Sequence, residues 1–254
     1  MNDKKDMHLA VLIDADNIPY ANVQGMLDEI AKLGTPTIKR IYGDWTRPGI
    51  TGWKAPLLEH AITPIQQYGY TTGKNATDSA MIIDAMDILH SDKVGGFCLV
   101  SSDSDFTRLA TRIRESGKLV IGIGEKKTPK PFIVACDKFI YIEIIAGAKV
   151  KQVQVNKTKK TSDEQIAPAE KDEVVSEGLI NLLKFSVDDI CDDDGWASLA
   201  EVGSLLLKKK PDFDPRNYGF PKLRPFINSL NHHFIIDARK SERSNIQHIY
   251  IKNK

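Results

Sequence analysis

Three short motifs contain the acidic residues of this 254-residue chain that are best placed for chemistry. DADN (residues 14–17) follows the apolar run LAVLI, SSDSDF (residues 101–106) follows FCLV, and Asp78 opens the amphipathic run DSAMIIDAM. Carboxylates only a few ångströms apart repel one another and raise one another's pKa values unless a cation neutralises them. Mg²⁺ prefers oxygen ligands, and these motifs hold no Cys or His, so their composition favours Mg²⁺ over Zn²⁺.

The same acids also have a structural interpretation. Asp78 and Asp105 stand where helices are expected to begin, and an Asp there commonly caps free backbone N–H groups. That interpretation is weaker for Asp14, because a lone carboxylate buried at the end of a central strand is costly unless it is paired or metal-bound. It is also weaker for Asp103.

The sequence around these motifs predicts an α/β domain over residues 1–150. Apolar and amphipathic runs alternate in the order βαβαβαβαβαβ, and runs such as LAVLI are apolar on both faces, as central parallel strands are. We therefore expect a doubly wound parallel sheet that brings the three motifs to the carboxyl edge of its strands. Asp84, six residues after Asp78, faces another direction on the third helix. We expect it to support the site or the structure of the domain, for example by binding a backbone group or Asn17.

A polar segment separates this domain from a second one. Residues 151–172 have no aromatic residue and no periodicity, which predicts a flexible linker. Residues 173–254 then give three helical patterns and two short strands, the order of a small winged helix-turn-helix domain.

Other enzyme classes have less support in the sequence. No glycine-rich phosphate loop and no G-x-S-x-G nucleophile motif is present. A haloacid-dehalogenase-like phosphatase is the alternative, because the apolar run ending in Asp14 and Asp16 and the SSDSD turn are similar to its first and last motifs. Lys74 would be its lysine, but Asp78 would then have no role and Asn17 no explanation.

The motifs in this order resemble the NYN domain family of PIN-like ribonucleases, over roughly residues 7–146. The resemblance implies a PIN-like sheet with a metal-dependent, RNA-cleaving site at its carboxyl edge. The matching positions are the metal-binding acids Asp14, Asp78 and Asp103, the fourth acid Asp105, and the strand-1 asparagine Asn17. Ser102 stands where glycine is common in the family, and we expect it to add a side chain beside the metal.

The resemblance also implies a mechanism. One or two Mg²⁺ or Mn²⁺ ions on Asp14, Asp78 and Asp103 would lower the pKa of a bound water and offset charge on the scissile phosphate. In-line attack would leave a 5′-phosphate and a 3′-hydroxyl. Asn17 would orient a ligand or phosphate oxygen, and Asp105 would bind a metal-coordinated water. A catalytically weak RNA-binding regulator that keeps the acids stays open beside the nuclease.

Aromatic and basic residues around the predicted site are candidates for RNA contact. Trp45 and Trp53 would stack on bases, while phosphates would be contacted by Arg47, Lys74 and Arg108. Packing of both tryptophans onto the body of the domain is the alternative, because burial is the commoner fate of large aromatic residues.

The segment from Glu173 to Lys252 resembles the LOTUS domain, also called OST-HTH. The resemblance rests on GWASLAEVGSLL, on FDPRNYGFPKLRPF and on the closing strands, and it implies RNA or protein-partner binding. From residue 208 to the last residue, 11 Lys and Arg stand against four Asp and Glu, a net charge of +7 that suits phosphate binding. The candidate RNA contacts are Arg216, Tyr218, Lys222, Arg224, Arg239 and Lys240.

The whole-chain charge conceals this basic segment. Lys and Arg total 35 against 34 Asp and Glu, a net charge of +1. The three widely spaced cysteines suggest neither a disulfide framework nor a zinc site, and no run approaches 18 apolar residues. We expect a cytoplasmic protein with RNA as its partner and no membrane contact. A protein partner for the C-terminal domain and a homodimer stay open.

Overall fold

The computed structural model describes residues 7–68, 76–145, 175–240 and 247–254. The described residues belong to two compact units, one holding residues 7–145 and the other those from residue 175 onward. Lys74, the side chain of Lys240 and the predicted linker at 151–172 lie outside the described residues. The domain boundaries at 150 and 173 therefore stay a prediction.

The first unit is built on a six-stranded parallel sheet in the order β3-β2-β1-β4-β5-β6. The strands are β1 His8–Asp14, β2 Thr35–Gly43, β3 Thr63–Gln66, β4 Gly96–Val100, β5 Leu119–Gly124 and β6 Lys138–Tyr141. Each parallel pair requires a crossover connection. The predicted doubly wound sheet is confirmed.

Helices cover both faces of this sheet. They are α1 Val23–Ala31, α2 Lys54–Glu59, α3 Ala76–His90, α4 Thr107–Glu115 and α5 Lys130–Ala135. Alternate residues of β1 enter two separate apolar cores, Val11 and Ile13 on one side and Ala10 and Leu12 on the other. This explains why LAVLI is apolar at every position, since side chains of a strand alternate between its faces.

The last predicted strand is shorter than the sequence pattern suggests. IYIEII predicts a strand over residues 140–145, but β6 ends at Tyr141 and residues 142–145 are helical. Ile142 and Ile145 are both buried in the same core, and that spacing of three suits a helix. Glu143 accepts a hydrogen bond from the backbone N–H of Lys126 (2.8 Å).

The second unit packs three α-helices against a small antiparallel sheet of order β7-β9-β8. Its elements are α6 Glu177–Asp188, β7 Ala197–Ser198, α7 Leu199–Lys209, α8 Leu223–Ser229, β8 Phe234–Lys240 and β9 Gln247–Asn253. Leu183, Val202, Phe226 and Ile251 form the centre of its core. The three helices and two longer strands are as predicted, whereas the two-residue β7 is too short to give a pattern.

Within the described parts of both units, every helix is too short or too polar to cross a lipid bilayer.

Candidate active site

The strand order places the acidic motifs at one point of the sheet. The order reverses between the neighbouring strands β1 and β4, and crevices at such switch points lie beyond the carboxyl ends of the strands. Asp14 is the last residue of β1, and Asp103 follows the end of β4 by three residues. Asp78 lies in the first turn of α3. Three separate segments thus bring carboxylates to this edge.

Asp14 is held by three protein donors although only 1% of its surface is exposed. Its Oδ2 accepts hydrogen bonds from the Asn17 amide (2.5 Å) and the Ser101 hydroxyl (2.8 Å). Its Oδ1 accepts a hydrogen bond from the backbone N–H of Asp16 (3.2 Å). Burial raises the pKa of Asp14 above its usual value, while these hydrogen bonds lower it. Asn17 therefore fixes the orientation of the Asp14 carboxylate.

The SSDSDF motif folds into a 3₁₀-helix over Ser104–Phe106 with Asp103 as its N-cap. Oδ1 of Asp103 accepts a hydrogen bond from the backbone N–H of Asp105 (2.9 Å), and the ring of Phe106 is fully buried beneath the turn. Asp103 therefore does cap a helix, although the sequence favoured capping less for Asp103 than for Asp78 and Asp105. Capping occupies one lone pair of Oδ1 and leaves other acceptor sites on the carboxylate.

Asp78, Asp103 and Asp105 form a carboxylate cluster. Each offers one oxygen, and these three oxygens lie within 4.8 Å of one another. Burial and the neighbouring charges of Asp14, Asp103 and Asp105 raise the pKa of Asp78 to about 6. This oxygen-only donor set fits a hard divalent cation, which would relieve the repulsion, and does not suit zinc.

The positions of Asp14 and Asp105 differ in one respect from the predicted ligand set. The sequence assigns Asp14, Asp78 and Asp103 to the metal and Asp105 to a bound water. In the structure Asp105 belongs to the carboxylate cluster, whereas Asp14 stands near enough to raise the pKa of Asp78 without joining that group. All four acids meet at one edge.

Asp84 serves the structure of the domain. It accepts hydrogen bonds from the Arg40 guanidinium and the Tyr42 hydroxyl, both on β2. The expected structural role of Asp84 is confirmed, but the suggested partners, Asn17 or a backbone group, are wrong. Burial and the Asp84 charge raise the pKa of Tyr42, so its phenol stays protonated and donates. These contacts attach α3 to the sheet two turns beyond Asp78.

Ser102 has a use that the sequence did not indicate. Its side chain is buried, and its hydroxyl accepts a hydrogen bond from the backbone N–H of Glu125 (2.9 Å), directly after β5. A glycine could not make this contact. Ser102 thus connects the turn after β4 to the end of the neighbouring strand.

Among the candidate RNA contacts of the first unit, the two tryptophans are partly or fully buried and the two described arginines are exposed. Trp53 is 2% exposed and part of the core, so its packing interpretation is confirmed and base stacking by it is excluded. Trp45 is partly buried and donates its indole N–H to the Ile65 carbonyl (3.0 Å). Arg47 and Arg108 are exposed, and Arg47 lies 3.5 Å from Asp44.

The basic candidates of the second unit differ in how free they are. Lys222 and Arg224 are exposed at the start of α8. Arg216 forms an ion pair with Asp214 (2.7 Å). The Arg239 guanidinium is exposed, forms an ion pair with Asp237 (2.9 Å) and lies 4.4 Å from the centre of the Tyr250 ring.

Tyr218 does not have the position that RNA contact requires. Only 8% of it is exposed, and its ring packs against Phe213 and Phe226 in the core of the second unit. The expectation that Tyr218 touches RNA is not supported, because the ring would have to leave this aromatic cluster. Two aromatic side chains that were not among the candidate RNA contacts, Trp196 and Tyr250, lie instead around Arg239.

Comparison with known families settles which family this site belongs to. The model of the NYN domain matches residues 8–143, more than half of the chain. The chain belongs to the NYN domain family. The model of the OST-HTH/LOTUS domain matches residues 170–246, so the two domains occur in the predicted order. A PIN-like nuclease domain followed by a LOTUS domain supports a nuclease and RNA-binding role, and the phosphatase alternative gains no support.

Individual relatives add little to this NYN protein. A crystal structure of a protein of unknown function from Vibrio parahaemolyticus is 21% identical with a TM-score of 0.46, covering 56% of this chain and 96% of that one. A solution NMR structure of an uncharacterized protein from Nitrosomonas europaea is 28% identical with a TM-score of 0.31, covering 38% of this chain and 90% of that one. Neither similarity is close enough to bear on function. No curated protein matches the chain.

Proposed function

We propose that this protein is a divalent-metal-dependent endoribonuclease that cleaves single-stranded RNA and binds RNA through its C-terminal LOTUS domain. The observation that carries the proposal is the carboxylate cluster of Asp78, Asp103 and Asp105 beside the buried Asp14, at the switch point of a NYN sheet. The raised pKa of Asp78 indicates that these charges are unfavourable without a cation.

The acids and their partners would divide the work as follows. Asp78 and Asp103, the two acids shared by the predicted ligand set and the carboxylate cluster, would hold Mg²⁺ or Mn²⁺ together with the neighbouring Asp14. The ion when bound would lower the pKa of water and offset charge on the scissile phosphate. Asn17 keeps the Asp14 carboxylate in place through its amide, 2.5 Å from Oδ2. Asp105 is the most exposed acid of the carboxylate cluster and would accept a hydrogen bond from the attacking water.

Single-stranded RNA is the proposed substrate because of how deep the acids lie. Asp14 is buried and Asp78 and Asp103 are partly buried, so the scissile phosphate has to approach the sheet edge closely. Nucleotides of a single strand can be splayed apart to do this, whereas the A-form helix holds its backbone in a rigid, regular shape.

An RNA-binding regulator with weak catalysis is the second candidate. The observation that favours it is the set of three protein donors on Asp14, which would compete with a metal for the carboxylate oxygens. This candidate predicts RNA binding with little or no metal-dependent cleavage.

Cleavage of an end-labelled, unstructured RNA in Mn²⁺ tests the proposal. Asp103→Asn should abolish cleavage, while its amide oxygen can still cap the 3₁₀-helix, so folding should be retained. Asp87→Asn, at an exposed position of α3, is the matched control and should cleave like the wild type. Undiminished cleavage by Asp103→Asn would contradict the nuclease site, and RNA binding by a wild type that cleaves nothing would favour the regulator.

A further inference from the structure

Tyr20 stands out among the exposed side chains near the catalytic edge. It opens a 3₁₀-helix (Tyr20–Asn22) a few residues after the end of β1, and half of its surface, 50%, is exposed. It lies three positions after Asn17 in the sequence, a span of at most about 11 Å. The Asn17 amide in turn binds Asp14. An exposed aromatic ring therefore lies close along the chain to the residues proposed for catalysis.

One face of the Tyr20 ring rests on Gly52. A Cβ built on Gly52 would lie 2.5, 2.8 and 2.9 Å from Cε1, Cζ and Cδ1 of Tyr20. If this Cβ lay beside the edge of the ring, it would be appreciably farther from Cζ and Cδ1 than from Cε1. Because the three distances are nearly equal, the Cβ position lies over the face of the ring. The absence of a side chain at Gly52 is what lets the ring lie there.

The segment beneath the ring is firmly anchored. Gly52 belongs to a 3₁₀-helix, Pro48–Trp53, in which Ile50 and Trp53 are buried. Residues three apart line up in a 3₁₀-helix, so these two side chains face the core together and leave Gly52 on another side. The ring thus has a rigid support, and holding an aromatic group in place in advance lowers the entropy cost of binding.

The chemistry of the neighbouring surface identifies an occupant for the other ring face. Arg47, the N-cap of the same 3₁₀-helix, is exposed; its Nε lies 3.5 Å from Asp44, and the other N–H groups of its guanidinium are left to bind a phosphate. Among the described residues the Tyr20 hydroxyl has no hydrogen-bond partner, so the ring is positioned by its face and not by its oxygen. An exposed aromatic face, with an exposed arginine on the segment that supports it, offers the two kinds of group that stack unpaired bases and contact an RNA backbone.

We propose that the solvent face of Tyr20, supported by Gly52, stacks on an unpaired base of the RNA substrate next to the cleavage site. This inference rests on the proposed function, because it takes that substrate to be single-stranded RNA. It assigns Tyr20 a role in substrate binding and none in the chemical step.

Steady-state cleavage of a short unstructured RNA by the full chain tests this role. Tyr20→Ala should raise KM about tenfold and leave kcat unchanged, since stacking of one base contributes on that order. Tyr20→Phe keeps the ring face and should behave like the wild type. A Tyr20→Ala variant with wild-type KM would overturn the proposal, as would a loss in kcat with no change in KM.

Gly52 and Gly49 provide a matched pair of variants in one 3₁₀-helix. Gly52→Ala should push the ring off its support and raise KM as Tyr20→Ala does, with little effect on the melting temperature. Gly49→Ala should have no effect, because a Cβ there meets nothing within 4 Å. Equal effects of the two substitutions would contradict the support role of Gly52.

Photocross-linking separates failure of this inference from failure of the nuclease proposal. RNA carrying 5-iodouracil should cross-link to Tyr20 in the Asp103→Asn full chain, whose RNA binding we expect to be retained, whether or not the wild type cleaves. A wild type without cleavage that still cross-links at Tyr20 would support stacking and reject the nuclease. Cleavage without any cross-link in residues 18–22 would reject stacking, and would leave this face to a protein partner.

Discussion

The buried hydroxyl of Ser101 donates a 2.8 Å hydrogen bond to Oδ2 of Asp14, across 87 residues of sequence. Its oxygen also accepts a hydrogen bond from the backbone N–H of Asp103 (3.1 Å). One hydroxyl thus joins the ends of β1 and β4, and its single proton is committed to the Asp14 carboxylate. The relative position of the two acids depends on this side chain.

Ser101→Ala should therefore weaken both stability and activity. Removing the hydroxyl leaves buried polar groups with one partner fewer, which costs about 1–3 kcal/mol of unfolding free energy. Urea unfolding measures this cost, and we expect kcat to fall more than KM rises, because Asp14 and Asp103 lose their common support. Ser104→Ala, at an exposed position of the same turn, is the control. A Ser101→Ala variant with wild-type kcat would show that Asp14 does not need this hydrogen bond.

The raised pKa of Asp78 gives the metal-free protein a specific pH dependence. Its carboxyl group has a pKa of about 6 in the folded state, compared with about 3.9 when unfolded. Between these values the folded state binds more protons, so the free energy of unfolding falls as pH rises from 4 to 6. Above pH 7 the full penalty is present.

Asp78→Asn should remove this penalty. In EDTA at pH 7 we expect the variant to be more stable than the wild type by about 1 kcal/mol, a value reduced for solvent screening of a half-exposed group. At pH 4 the difference should vanish. Mg²⁺ should then raise the melting temperature of the wild type more than that of the variant, because a ligand stabilises the state it binds. A variant less stable than the wild type at pH 7 would contradict the repulsion.

The contacts of Asp84 predict a stability effect without a catalytic one. Asp84→Asn replaces the charged acceptor of the Arg40 and Tyr42 hydrogen bonds by a neutral amide, which should cost about 2 kcal/mol of unfolding free energy. Cleavage by the folded variant should stay within about twofold of wild type, because Asp84 binds β2 and no member of the carboxylate cluster touches it. Asp87→Asn should change neither quantity. A large loss of kcat at wild-type stability would place Asp84 in the site.

The sequence alone was enough to predict those parts of the site that lie directly after the end of a strand. Asp14 and Asp103 each follow an apolar run, and right-handed crossovers of a parallel sheet bring such residues to one edge. The contacts that fix these acids could not be predicted in the same way. Asp84 finds its partners on β2, and Ser102 binds a residue after β5, so both depend on which strands become neighbours.

Tyr218 shows a second limit of sequence patterns. Charged and polar residues surround it in FDPRNYGFPK, which is typical of an exposed segment. The segment is a short 3₁₀-helix, Pro215–Tyr218, that ends at Gly219 with a φ of 81° and turns the ring inward against Phe213. Whether a lone aromatic residue of such a turn faces the core or solvent depends on this backbone geometry, which composition does not encode.

The second domain offers a comparison between two arginines. Arg224 is exposed in the first turn of α8, whereas the guanidinium of Arg216 is already bound by Asp214. An arginine that is already neutralised by an acid of its own chain displaces fewer counterions when it binds RNA.

Arg224→Ala should therefore lower the slope of log affinity against log salt by about 0.7, the value for one phosphate contact on a single strand. Arg216→Ala should change this slope less. Anisotropy titrations of labelled RNA at salt concentrations from roughly 50 to 200 mM measure both slopes. Equal slopes for Arg224→Ala and the wild type would remove the start of α8 from the RNA surface and leave Arg239, beside Trp196 and Tyr250, as the position to test next.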